Sequence, residues 1–289
     1  MKIAVQQVIK IIRPGIFCAL QDIGRFGYRH LGVPCSGASD RASMIYVNAI
    51  LQNRPETPVL EIFGAGSIFE IISSCTVCFG GAKALIRLNG QEFDFSKPHK
   101  CSSGDIIKIE KLSSGTILYL GISGGFYTSP VMDSVSYLKD THLMALKSGD
   151  ILYAHIRNQS ITGSGASLKP LEINKAKSIQ VFKGPEYDIL SKESKAVLFE
   201  KSFLITSQSD RMGFRLTGTP LTKSAEKEML TSAVSPGVVQ LLPDGQLIIL
   251  MRDCQTTGGY PRILIVNEQD INQLAQRSPG DKICFCQID

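Results

Sequence analysis

Two segments of the 289-residue chain concentrate side chains able to do chemistry. The first, QDIGRFGYRHLGVPCSGASDR at 21–41, sets Asp22, Arg25, Arg29, Asp40 and Arg41 among closely spaced glycines. Glycine lets backbone approach a ligand, and arginine presents a planar fork that matches a carboxylate or phosphate. Ser39-Asp40 also opens an expected helix, whose first amides attract an anion unless Asp40 itself fills that role. The second segment, MRDCQTTGGYPR at 251–262, offers acceptors and hydroxyls from Asp253, Gln255, Thr256 and Thr257. Gly258-Gly259 permits close approach, and Tyr260 supplies a flat apolar wall with a polar tip. A hairpin turn whose hydroxyls satisfy loop amides accounts for this second segment equally well. Nearby, SDRMGFRL at 209–216 again combines Asp, Arg and Gly, and there too a surface turn with an ordinary ion pair competes with a site.

Other chemistries are disfavoured by what is missing. The chain has no G-x-x-x-x-G-K-[ST] loop to cradle ATP and no G-x-S-x-G elbow for a serine hydrolase. It has no Met-Lys-Met biotinyl-acceptor segment, and GAGSIF at 64–69 reads as a turn between strands. Cys75 and Cys78 form a lone C-x-x-C within an apolar strand-like stretch, and Cys284 and Cys286 are too close together to be its partner pair. The four histidines, His30, His99, His142 and His155, are scattered, so no metal is expected. The net charge of +5 is dispersed, and the Lys-rich stretch 169–201 is interleaved with acids, which reads as a solvated face in preference to a nucleic-acid footprint, so no nucleic-acid partner is expected. No run approaches the roughly 18 apolar residues of a membrane helix. MKIAVQQVIKIIRPG at the N-terminus reads as a strand and not a signal peptide, so a cytoplasmic protein with reduced cysteines is expected.

The elements that must position these groups are mostly strands. Period-2 segments are expected at 5–12, 59–63, 67–72, 76–79, 106–109, 117–122, 151–156, 179–182, 238–242, 247–251, 263–266 and 282–288, separated by Gly, Pro, Asp and Ser turns. Helices are expected at 40–51, capped by Ser39 or Asp40, and at 269–276. Many short strands without βαβ alternation indicate a mainly β barrel or sandwich. One pattern recurs: a small-residue turn ending in Gly-Asp leads into an apolar strand in SSGDIIKI (102–109), KSGDILYAHI (147–156) and SPGDKICFCQI (278–288). It suggests two β units, 1–160 and 170–289, divided in the polar Ser/Gly-rich stretch 158–170.

Four long motifs then carry a resemblance. QDxGRxGYRHLGVPxSGAxD, SDRMGFRL, PGVVQLLPDGQLIIL running into DCQTTGGYP, and LAQRSPGD occur in the order found in the carboxyltransferase A/B family. That family includes KipA proteins, the C subunits of 5-oxoprolinases, allophanate hydrolase subunit 2-like chains and part of urea amidolyase. The resemblance implies cyclophilin-like β-barrel architecture and, as partner, a KipI-like B subunit, joined in the oxoprolinase version by an A subunit. There the assembly opens the 5-oxoproline lactam to glutamate using ATP. The site residues it implies are Asp22, Arg25, Gly27, Tyr28, Ser36, Gly37 and Asp40 in the first motif. From the others come Arg211, Met212, Gln240, Asp253, Thr257, Gly258, Gly259 and Tyr260. In the roles assigned to them, an arginine holds a substrate carboxylate, Asp253 handles a proton or orients a nucleophile, and the Gly-Gly amides meet an oxyanion.

The chain also departs from the family pattern. Ser39, Leu247 and Cys254 stand where the family usually has Met, Pro and Arg. The segment after SGGF, residues 127–150, is shortened and lacks the family's Gly-Ser-x-Ser-Thr and Gly-Gly…Gly-Arg. Three functions follow from the resemblance: one subunit of a 5-oxoprolinase that acts on a small amide or carboxylate, a KipA-type regulator that sequesters a KipI-like kinase inhibitor, or a carboxyltransferase component of a urea amidolyase-like system.

Overall fold

A computed structural model describes residues 5–94, 97–156, 171–174, 178–224 and 229–288. Its contacts cluster into two compact units. One comprises Met1–Arg25 and Asp40–Ile173, the other Phe26–Ser39 and Asn174–Asp289, so the first motif is divided between them. The stretch expected to divide two β units, 158–170, lies outside the described residues.

In the first unit the strands are β1 (Val5–Arg13), β2 (Phe17–Gln21), β3 (Val59–Phe63), β4 (Ile68–Ile71) and β5 (Cys75–Leu88). They continue with β6 (Gln91–Glu92), β7 (His99–Cys101), β8 (Ile106–Ile122), β9 (Phe126–Tyr127) and β10 (Ile151–His155). Among the described residues these ten form one antiparallel sheet running β2-β3-β8-β4-β1-β10-β9, with β5 also paired to β8 and carrying β6 and β7. The sheet curls into a nearly closed barrel. Alternate side chains, including Ile9, Leu60, Phe69, Phe79, Ile107 and Leu120, fill its core. Helix α1 (Arg41–Ile50) covers the outer face. Asp40 is its N-cap, accepting from the Ser43 amide at 3.0 Å and the Ser43 hydroxyl at 2.5 Å. Val47 of α1 packs so closely that Gly80 and Gly121 have no room for a Cβ.

The second unit holds β11 (Ile179–Lys183), α2 (Lys192–Glu200), β12 (Phe203–Ile205), β13 (Gly213–Thr217), β14 (Ser232–Ala233) and β15 (Val238–Leu241). After these come β16 (Leu247–Leu250), β17 (Thr257–Gly258), β18 (Arg262–Val266), α3 (Glu268–Ala275), β19 (Lys282–Ile283) and β20 (Phe285–Gln287). Eight of these strands make a second barrel-like sheet, β19-β12-β13-β16-β15-β18-β11-β20, in which, among the described residues, only the β11–β20 pair is parallel. β14 and β17 pair separately as a small ribbon.

The recurrent Gly-Asp turn is the same structure three times. In each copy the Asp carboxylate accepts the amide three residues back: Asp105 from Ser102 at 2.7 Å, Asp150 from Lys147 at 2.7 Å, Asp281 from Ser278 at 2.8 Å. The glycine before it has φ near +90° each time, at 91°, 93° and 93°. Its amide then bonds a carbonyl of a neighbouring strand, at Ile71, Ile11 and Ile205. A positive φ is costly for any residue with a Cβ, which explains why all three copies use glycine.

Several expectations need correction. The strands expected at 106–109 and 117–122 are one strand, β8, and the one expected at 76–79 runs on to Leu88 in β5. These long strands pair with one another through bulges around Lys83 and Leu85, which let polar stretches such as KLSSG stay in the ladder. The strand expected at 282–288 breaks at Cys284, because β19 joins β12 while β20 joins β11. β2, β6, β7, β9, β12, β13, β14, β17 and α2 have no counterpart among the expected elements. In α2 only Ser194 and Leu198 are buried, so its apolar stripe is too narrow to announce a helix.

Candidate functional site

The motif residues converge in the second unit around Arg211 and Asp253. Asp210 Oδ1 accepts the amides of Met212 at 2.8 Å and Gly213 at 3.2 Å, a local turn that holds Arg211 at the start of β13. Beyond the β13–β16 ladder, Met251 donates its amide to the Met212 carbonyl at 3.0 Å and Asp253 donates to the Arg211 carbonyl at 2.9 Å. The backbone thus keeps residues 211 and 253 side by side.

Their side chains complete a fork. Arg211 Nε donates to Asp253 Oδ2 at 2.6 Å and Nη2 to Oδ1 at 2.9 Å, both side chains being 10% exposed. Such bidentate pairing gives geometric specificity beyond charge attraction. Arg211 Nη2 also donates to the Gly37 carbonyl at 2.8 Å, and Nη1 to Ser39 Oγ at 2.5 Å. Ser36 donates its hydroxyl to Asp253 Oδ1 at 2.5 Å and its amide to the Arg252 carbonyl at 3.1 Å. Ser36 and Gly37 both take positive φ, 54° and 92°, which turns this loop onto the pair. One carboxylate therefore gathers a guanidinium and a serine hydroxyl, and Asp253, unlike the buried Ser36, retains some exposure.

Arg29 anchors the same loop further along. It donates through Nη2 to the carbonyls of Val234, in a short contact, and Thr256, at 3.4 Å, and through Nη1 to Cys35 Sγ at 3.7 Å. Cys254 is fully buried nearby. Burial pushes its thiol up to about 11, with the Arg29 guanidinium working in the opposite direction.

A second group surrounds the β14–β17 ribbon. Gln240, buried on β15, donates to the Tyr260 carbonyl at 3.2 Å. A Cβ on Gly258 would lie 2.8 Å from Gln240 Nε2, so this glycine makes room for the glutamine. Thr257, Gly259 and Tyr260 are exposed, as are Met212 and Gly27, while Tyr28 is half-buried beside a short 3-10 turn at Arg29–Leu31.

Three motif residues lie in the first unit, apart from these groups in the chain's division. Asp22 is buried and accepts from the Gly24 and Val135 amides, both at 2.8 Å, and from the hydroxyls of Ser134 at 2.7 Å and Ser136 at 2.6 Å. Arg25, also buried, donates to the carbonyls of Val131 at 3.1 Å, Tyr137 at 3.4 Å and, in a short contact, Ser136. Together they pin residues 131–137. Asp40 caps α1 and donates its amide to Tyr119 Oη at 2.8 Å, and Tyr119 donates in turn to Glu61 at 2.7 Å. Burial, followed by the Glu61 charge, pushes the Tyr119 phenol far up. Sequence reasoning missed Ser39 as a partner of Arg211. The two lie 172 residues apart, and nothing in their spacing signals the pairing.

Known proteins resemble this chain in sequence and in fold. A family model described as the carboxyltransferase domain, subdomain A and B, matches residues 31–287. The chain is 33% identical over 288 residues to a protein of Escherichia coli (strain K12) named as the C subunit of 5-oxoprolinase, covering 97% of this chain and 91% of that protein. It is 30% identical over 303 residues to urea amidolyase of Saccharomyces cerevisiae, covering 96% of this chain but 16% of that protein. The solved K. lactis urea amidolyase shares the fold with a TM-score of 0.89 at 24% identity, over 98% of this chain and 19% of that one.

Proposed function

The chain belongs to the carboxyltransferase A and B subdomain family, and on that premise we propose that it is the C subunit of a multi-subunit, ATP-dependent 5-oxoprolinase. The observation that carries this reading is the match to a protein named in this way, 33% identical over 97% of this chain and 91% of that protein. A match of that extent joins two chains of similar length, whereas the urea amidolyase match occupies 16% of its partner. In this reading the chain works in the cytoplasm with a KipI-like B subunit and with an A subunit, and ATP is used by the assembly.

The geometry refines the roles. Arg211 already donates to Asp253, Gly37 and Ser39, so it positions the site and does not clamp a substrate carboxylate. Asp253 is the group through which the cluster can handle a proton, with Ser36 and Arg211 fixing its orientation. Thr257, on the neighbouring ribbon, and Gly259 and Tyr260 just after it are exposed, and in this reading they meet substrate.

The test is reconstitution. Mixing this chain with its purified KipI-like and A-type partners should release glutamate from 5-oxoproline only with ATP, and omission of this chain should stop release. Replacing Asp253→Asn should lower turnover by about a hundredfold or more, the scale of a lost acid–base group, with assembly intact by size-exclusion chromatography. Full activity in that variant would remove Asp253 from the mechanism. Absence of glutamate from the folded wild-type mixture would overturn the oxoprolinase reading itself, and tight KipI binding without turnover would favour the regulatory one.

A further inference from the structure

The strand path of the first unit leaves its barrel incompletely closed between β2 and β9, and residues 128–150 fill that gap. They are tied to the free edge of β2 by the amides of Tyr137 and Leu146, which donate to the carbonyls of Leu20 at 3.1 Å and Cys18 at 2.8 Å. The filling is not complete. A cavity of about 360 Å³ remains, bounded by Leu20 on one side, Tyr127 and Tyr153 on the other, and this segment between them. That volume suits a small organic molecule.

The lining has a definite chemistry. Leu20, Val135, Leu143, Leu146 and Leu152 make an aliphatic floor. Tyr127 and Tyr153 stand directly opposite each other on β9 and β10, so their rings share one face, and they remain 45% and 42% exposed at the mouth. Met144 is similarly exposed. Among the described residues of the lining, Asp150 is the one carboxylate, there is no Lys or Arg, and His142, whose Nε2 meets the Ser129 carbonyl at 2.8 Å, is the other ionisable group besides the two phenols. Asp150 accepts the Lys147 amide through Oδ2, and among the described residues Oδ1 meets no donor, so it can face a ligand. Tyr153 accepts from Gln7 Nε2 at 3.2 Å, which holds its ring at the edge of the cavity.

We propose that this cavity binds a small organic cation, an ammonium group on an apolar body, with the body on the leucine floor and the ammonium between Asp150 and the two tyrosine rings. A ring face attracts a cation through its quadrupole, and a carboxylate at the same mouth adds direct charge attraction. The same features reject anions, so the site is distinct in ligand from one serving 5-oxoproline or ATP. It lies within the first unit, so it is independent of the reading given for the second unit.

Calorimetric titration of the whole chain with phenethylammonium, 2-phenylethanol and phenylacetate tests the assignment. Phenethylammonium should bind about tenfold tighter than the alcohol, the combined scale of one cation–π contact and one exposed ion pair, and phenylacetate weakest. Asp150→Asn keeps an oxygen for the Lys147 amide while removing the charge, and should bring the ammonium to within about twofold of the alcohol. Tyr153→Ala, at an exposed position, should reduce the preference for the ammonium over the alcohol by about twofold. In wild-type protein, added salt should weaken the ammonium and not the alcohol. Failure of all three probes to bind, phenylacetate binding as tightly as phenethylammonium, or a salt-independent order would overturn the proposal.

Discussion

Arg211 shows how one side chain can tie distant segments into one cluster. Its fork holds Asp253 while its remaining donors reach Gly37 and Ser39, so a single residue joins the 36–39 loop to the strand ends at 211 and 253. Lysine keeps the charge but cannot make the planar, multi-directional contacts. Arg211→Lys should therefore cost about 1.5 kcal/mol, the scale of a lost hydrogen bond to a charged group, measured as a reduced urea midpoint. A change below about 0.5 kcal/mol, the range of ordinary surface substitutions, would mean that the pair is not holding the loop. Asp22 and Arg25 make a complementary point. Their types and glycine-rich setting mark them as special, yet the donors and acceptors they meet belong largely to residues 131–137. Side-chain type alone does not distinguish a charge turned toward a ligand from one consumed inside the protein.

At the scale of elements, the close seat of α1 on its sheet rests on glycines that the strand pattern would tolerate as almost any small residue. Gly121 and Gly80 admit Val47 of α1 against the backbone, and a Cβ at Gly80 would lie 2.6 Å from a Val47 methyl. Gly121→Ala should destabilise the protein by about 2 kcal/mol through overpacking. Trimming the opposing side chain in the double variant Gly121→Ala/Val47→Ala should recover part of that loss, read as a non-additive coupling in chemical denaturation. Strict additivity would show that the two positions do not meet. The Gly-Asp turns were legible in full, because glycine conformation and the Asp side-chain bond are both local. The merging of two expected strands into β8 was not, since the ladder partner that keeps KLSSG extended is β5, which precedes it in the chain.

Over the whole molecule, the distribution of thiols gives a direct check on the fold. Of eight cysteines, Cys284 and Cys286 are exposed and the others are buried. Burial pushes Cys75, Cys78 and Cys101 up to about 12 and Cys254 up to about 11, so at pH 8 these groups stay protonated as well as shielded. Iodoacetamide at pH 8 should label two cysteines in the native protein and eight in denaturant, counted by intact mass. Rapid native labelling of Cys75 or Cys101 would contradict the packing of β5 against β7. The sequence by itself determined the β-rich class, the cap on α1, the three repeated turns, and the membership of Ser36, Gly37, Arg211 and Asp253 in family motifs, because periodicity, capping and motif spacing are encoded within short windows. Only the tertiary structure decided that residues 26–39 cluster with the second unit, that Ser39 reaches Arg211, and that residues 128–150 leave a cavity beside β2. These outcomes depend on partners more than a hundred residues apart, whose meeting is set by strand order and packing and leaves no periodic trace along the chain.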